Sequence, residues 1–110
     1  TKCCCTNFPT KTEADSAYIR NDFAASVEIY ENILRNEGES SDIYYNLGNS
    51  YYKMNNIAKA VLNYERALLL NPGNSDIRFN LELARSKTVD KVTLLVRCFS
   101  LLGLNHLLIQ

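Results

Sequence analysis

The chain repeats itself. Counted from Ser41, a 34-residue unit places Tyr44, Leu47, Gly48 and Tyr51 at its positions 4, 7, 8 and 11. The same unit places Ala60, Tyr64, Ala67 and Pro72 at positions 20, 24, 27 and 32. A period of this length constrains the fold more than any bulk property does. Each unit is one pair of helices that cannot bury its apolar face alone, so neighbouring units must stack. The spacing of three and four predicts helix A at about 42–54 and helix B at about 57–70, with "NN" at 55–56 as the tight turn. Gly48 and Ala60 are small where two antiparallel helices approach, and Ala67 is small for packing on the next helix. Tyr44, Leu47, Tyr51 and Tyr64 fill the space between helices. Pro72 has no N–H with which to continue a helix, so it closes the unit at "NPGN".

One period earlier the pattern is looser. Ala14 falls on the glycine position, Ser26 on position 20, Tyr30 on 24 and Ile33 on 27. This predicts helices at about 10–20 and 23–36, after which "NEGESSD" supplies a Ser or Asp to cap the next helix. One period later Ile77 and Leu81 keep the helix A spacing. However, Glu82 stands where the close-packing glycine stood, and Arg85 where the tyrosine stood. Residues 75 to about 88 therefore read as a capping helix with a charged outer face, as the end of a solenoid needs. The expected division is a disordered terminus at 1–9, a degenerate unit at 10–40 and a full unit at 41–74. A capping helix or the start of a third unit follows at 75–91, and an apolar tail at 92–110. The fold class is all-α, an α-solenoid of about two units plus a cap. Three placements compete for the tail "VTLLVRCFSLLGLNHLLIQ": a helix packed back on the cap, a membrane-proximal or short spanning segment through 92–109, and a tail with no fixed place. Arg97 is costly for the second.

These residues and spacings resemble the tetratricopeptide unit (W-x2-L-G-x2-Y, A-x3-F, then P), with tyrosine in place of the tryptophan and the phenylalanine. The geometry of that repeat gives helix A two faces. One packs on its neighbours, and the other lines a concave groove. The pairs in "YYNLGNSYYK" then serve two surfaces: Tyr44 and Tyr51 pack, while Tyr45 and Tyr52 face the groove. The central unit also contributes Asp42, Asn46, Asn49 and Lys53 to the groove. The first unit adds Lys11, Asp15 and Tyr18, and the cap adds Asp76 and Asn80. Amides can hydrogen-bond a bound backbone, and tyrosines offer flat area with a hydroxyl at low entropy cost. The bland alternative is that these are solvated residues of an ordinary repeat. Some domains of this class clamp a peptide's C-terminal carboxylate. The clamp positions here read Lys11, Asp15, Asn46, Asp76 and Asn80. A carboxylate between Asp15 and Asp76 is repelled, so no such clamp is expected.

Composition narrows the function. Twelve basic and twelve acidic side chains balance, with no basic stripe, which argues against a nucleic-acid partner. Cys3, Cys4 and Cys5 are adjacent and cannot easily turn their sulfurs to one metal. They read as a terminus without a site, the rival being a lipidated or oxidised end. Cys98 and the single histidine, His106, have no activating neighbours, and no phosphate loop or metal constellation is present. No enzyme, cofactor or metal is expected. The first residue is Thr1, which predicts a processed or excised piece.

A closer likeness covers residues 41–91. "NLGNSYYK", "NIAKA", "LNYERALLLNP" and "DIRFNLELARSKTVDK" resemble the BatE family, the exported tetratricopeptide proteins of the Bacteroidetes aerotolerance (Bat) operon. "ADSAYIRNDFAASVEIYENIL" is similar to that family's first unit. The resemblance implies a non-catalytic scaffold of the cell envelope, periplasmic or membrane-associated, linked to oxygen tolerance. It implies partners among von Willebrand type A domain proteins of the same operon. The alternatives are a cytoplasmic adaptor and a self-associating or membrane-attached module that uses the apolar tail.

Overall fold

The computed structural model describes residues 9–101, with side chains through Thr88. Expectations for Cys3, Cys4, Cys5 and His106, for the Cys98 side chain and for the tail after Leu101 lie outside the described residues. Within them the chain forms five helices. They are α1 (Lys11–Ile19), α2 (Phe23–Glu37), α3 (Ser41–Lys53), α4 (Ile57–Leu70) and α5 (Ser75–Leu101). Each packs against the next in chain order. The result is an all-α stack of antiparallel pairs, the α-solenoid that the period demands.

Local chemistry sets the helix ends. Thr10 opens α1 with a reciprocal cap: its hydroxyl accepts from the Glu13 N–H, and the Glu13 carboxylate accepts from the Thr10 N–H. Asp22 and Asn56 cap α2 and α4 at equivalent places in their units. Asn74 does the same for α5, accepting from the Asp76 and Ile77 amides. The start of α3 is different. Ser40 takes the cap position but makes no side-chain cap bond. Instead the Ser41 hydroxyl donates to the Ala67 carbonyl at 3.0 Å, which ties the start of α3 to the end of α4. Gly38, with φ 96°, ends α2 in a conformation that other residues resist.

The turns share one device. Asn21 and Asn55 occupy the same unit position, and both adopt the left-handed conformation, with φ 65° and 63°. Asparagine tolerates this region better than most side chains. One period later that position is Val89. A β-branched residue resists the left-handed region, and the chain does not turn there. α5 runs on as one helix to Leu101, past the expected end near residue 88. Residues 92–101 therefore continue the cap in line. Among the described residues no helix is long and apolar enough to cross a membrane.

The core runs along the stack. Gly48 lies flat against Tyr64: a Cβ added there meets Tyr64 Cδ1 and Cε1 at 2.7 Å. Ala14, Ala60, Ala67 and Ala84 are completely buried at the helix contacts. Tyr30 and Tyr64, at equivalent positions, are the two largest fully buried side chains. Between the two full pairs, Ser26 and Ser50 share a buried hydroxyl–hydroxyl hydrogen bond of 3.0 Å. The Ser50 hydroxyl also donates to the Asn46 carbonyl at 3.1 Å, and with both donors used two polar groups can sit in this seam.

Candidate functional site

The A helices α1, α3 and α5 present one wall. Its first cleft, about 260 Å³, brings together Lys11, Asp15, Tyr18, Asn46 and Asn49. A second, about 240 Å³, brings together Tyr18, Asn49, Tyr52, Lys53 and Asn80. Asp42, Tyr45 and Asp76 line neither; the two aspartates are exposed in the first turns of α3 and α5. Tyr45 is half-buried, with its ring 6.0 Å from that of Tyr64. Tyr44 and Tyr51 are buried on the packing side of α3. Ile19 and Tyr30 complete the first cleft, and Tyr64 and Leu83 the second.

The wall is tied together from within. The Tyr64 hydroxyl donates to Asn49 Oδ1 at 2.5 Å, and Asn80 Nδ2 donates to the same oxygen at 3.0 Å. Asn80 Nδ2 also donates to the Tyr45 hydroxyl oxygen at 2.9 Å. These bonds fix both amides. The Asn49 oxygen is used, so its NH2 remains as a donor. The Asn80 NH2 is used, so its carbonyl remains as an acceptor. Asn46 differs: its backbone carbonyl accepts from Ser50, and among the described residues its side-chain amide is unpaired. In the first unit the Tyr30 hydroxyl donates to Asp15, which also accepts from Lys11 Nζ at 2.9 Å. The tyrosine at position 24 thus holds the groove residue at position 9 in both units. Sequence reasoning treated Tyr30 and Tyr64 as packing residues only. The signal was their common spacing of fifteen residues from Asp15 and Asn49.

Electrostatics follow from these contacts. Burial raises the Asp15 carboxyl, but the Tyr30 and Lys11 hydrogen bonds and the Lys11 charge outweigh it, and the net shift is downward. Burial, with the Asp15 bond, pushes the Tyr30 phenol well above its usual range, and burial does the same for Tyr64. Burial also raises Tyr18. Lys11 spends its charge on Asp15. Lys87 lies 4.6 Å over the Tyr52 ring, a cation–π contact at the α5 edge of the groove. Among the described residues no three His, Cys, Asp or Glu side chains are placed to hold a metal. The wall can donate, accept and stack; it offers no nucleophile beside a base.

Stacked helix pairs with a concave wall of tyrosine and amide define a class of binding solenoid. Models of the tetratricopeptide repeat match residues 11–53 and 41–74, together more than half of the chain. The chain belongs to the tetratricopeptide repeat family. Repeats of this family mediate protein–protein interaction and typically form non-catalytic scaffolds. No curated protein matches the chain significantly.

Proposed function

We propose that this protein is a non-catalytic scaffold that holds an extended segment of a partner protein against the α1–α3–α5 wall. One observation supports this most: the Asn49 NH2 and the Asn80 carbonyl are left over, in one cleft, by a network that fixes both amides. A peptide unit carries one carbonyl and one N–H, and so matches such a pair. Preorganised groups bind with less entropy loss than mobile ones. Tyr18 and Tyr52 supply stacking area beside them, and the unpaired Asn46 amide supplies a further contact. The wider setting rests on the family resemblance alone, that of residues 41–91 and, more loosely, of the first unit. It is a cell-envelope complex linked to oxygen tolerance, with von Willebrand type A domain proteins as partners.

The test is selection of displayed peptides on the full chain, followed by titration of the best binder against Asn46→Ala/Tyr52→Ala. Both side chains are half-buried and Tyr52 packs on the core, so the variant is expected to melt lower but to stay folded. Its affinity is expected to fall by more than about tenfold. Equal affinity in the folded variant overturns the reading.

A further inference from the structure

The side of α3 that faces away from the groove carries a second cleft. It is about 420 Å³, larger than either groove cleft and within the usual range of ligand sites. Tyr44, Leu47 and Tyr51 of α3 form its floor, and α2 and α4 its walls. Three cations converge on it: Arg35 from α2, and Lys59 and Arg66 from α4. One carboxylate, Glu31, stands with them, and it accepts the Tyr51 hydroxyl at 2.5 Å. In a chain of balanced charge this is a local excess of two positive charges.

The cations are held but not neutralised. Lys59 Nζ lies 5.3 Å from the Tyr51 ring centroid, and the Arg66 guanidinium lies 5.8 Å from that of Tyr44. The Arg35 guanidinium donates to Asn32. Among the described residues none of the three is in a salt bridge. Beside them Asn63 lines the cleft. Its NH2 donates to the Lys59 carbonyl at 2.8 Å, while its buried Oδ1 has no hydrogen-bond partner. The equivalent position of the first unit is Ile29, an apolar residue packed on the core. An unpaired buried acceptor costs about 1–3 kcal/mol, and a donor that reaches it removes that cost.

We infer that this cleft is a second binding site, specific for an extended acidic peptide segment. Lys59 and Arg66 are about two helical turns apart, roughly 10 Å along α4. In a segment extended as a polyproline II helix, acidic residues three apart lie on one face, separated by about 9 Å. Leu62 lies between the two cations and is 45% exposed, a seat for an apolar side chain between the acids. A compact dianion fits less well, because Glu31 repels concentrated negative charge and the three cations are spread over two helices.

The test uses the full chain and a short blocked peptide with two glutamates three residues apart and leucine between them. Its counterpart carries lysines in place of the glutamates. The glutamate peptide is expected to bind and to shift the Asn63 side-chain amide resonances. Lys59→Gln/Arg66→Gln changes two exposed residues, and the fold is expected to hold. It should weaken binding by more than about tenfold. The groove variant Asn46→Ala/Tyr52→Ala should bind the peptide as the parent does. Three results overturn the inference: no binding at about millimolar peptide, the lowest affinity worth assigning to a site; equal binding of the lysine peptide; or undiminished binding by Lys59→Gln/Arg66→Gln. Loss in the groove variant alone also overturns it, and places the acidic segment in the groove instead.

Discussion

The second unit and the stretch one period later begin alike and end differently. α3 carries Leu47 and Gly48 at positions 7 and 8, and α5 carries Leu81 and Glu82. Leu47 and Leu81 are both buried. The second unit then turns at the left-handed Asn55 and returns as α4, whose Tyr64 covers Gly48. The third reaches Val89 and does not turn. Glu82 stays in solvent beside Arg85, which bridges it to Glu65. Two substitutions thus separate a helix pair from a cap. One removes the residue that permits the turn, and the other removes the space that a returning helix would need.

The largest effect expected from this difference appears at high pH. The first two units rest on buried tyrosines, whereas Arg85 replaces Tyr51 in the cap. Burial and the Glu31 bond raise Tyr51 from 10.0 to about 12, and burial raises Tyr30 and Tyr64 further. A phenol raised in the folded state stabilises the fold below the unfolded value of 10.0. That stability is lost as the pH climbs through the folded values. Melting temperature should be level up to about pH 9 and fall steeply above about pH 10. A fold that melts at the same temperature at about pH 9 and about pH 11 breaks the comparison.

Gly48→Leu should come next. It drives a side chain into a ring that is buried and tethered to Asn49, at a cost of about 3 kcal/mol. Glu82→Leu, at the matching exposed place, should change stability by less than about 0.5 kcal/mol. Similar melting shifts for the two would mean that Gly48 is not at a close helix contact. Asn55→Val copies the third unit's residue into the second unit's turn, and should cost about 1–2 kcal/mol. Urea unfolding would read it as a lower midpoint.

Asn63→Ile should act in the opposite sense. It gives the second unit the aliphatic class of residue that the first has at Ile29, and removes the unpaired oxygen. An increase of about 1 kcal/mol is expected. A loss instead would mean that the Asn63 bond to the Lys59 carbonyl outweighs its unpaired oxygen. The smallest effect belongs to Lys11→Met. The Lys11–Asp15 pair is half-exposed, so about 0.3–0.5 kcal/mol should go, and less in high salt.

Much of this was legible in the sequence. The period gave four of the helices to within a residue or two, and residue size at Gly48 and Ala60 gave the contact between α3 and α4. Tyr44 and Tyr51 are buried and Tyr45 and Tyr52 half-buried, but only Tyr52 lines a groove cleft, while the Tyr45 ring packs on the core. What was missed was long-range hydrogen bonding. No local pattern says that Asn80 will reach Tyr45 and Asn49, because that depends on the distance between stacked helices. Ser40 could not be told from Ser41 as the residue whose hydroxyl would be used. The length of α5 was readable in principle, since Val89 aligns with Asn21 and Asn55. The apolar composition that begins at Val92 drew attention to the wrong boundary.

The tyrosine at position 24 has a consequence for how such a wall changes over generations. A phenol hydroxyl can donate to a carboxylate or to an amide oxygen, more strongly to the first. Tyr30 holds Asp15 and Tyr64 holds Asn49 by the same bond. The ring stays where the core needs it whichever side chain it grips. A single-nucleotide change between aspartate and asparagine can therefore add or remove a charge presented to a partner without disturbing the packing beneath. Each unit becomes a slot in which a letter can be exchanged, and the stack a short text that selection can edit one character at a time.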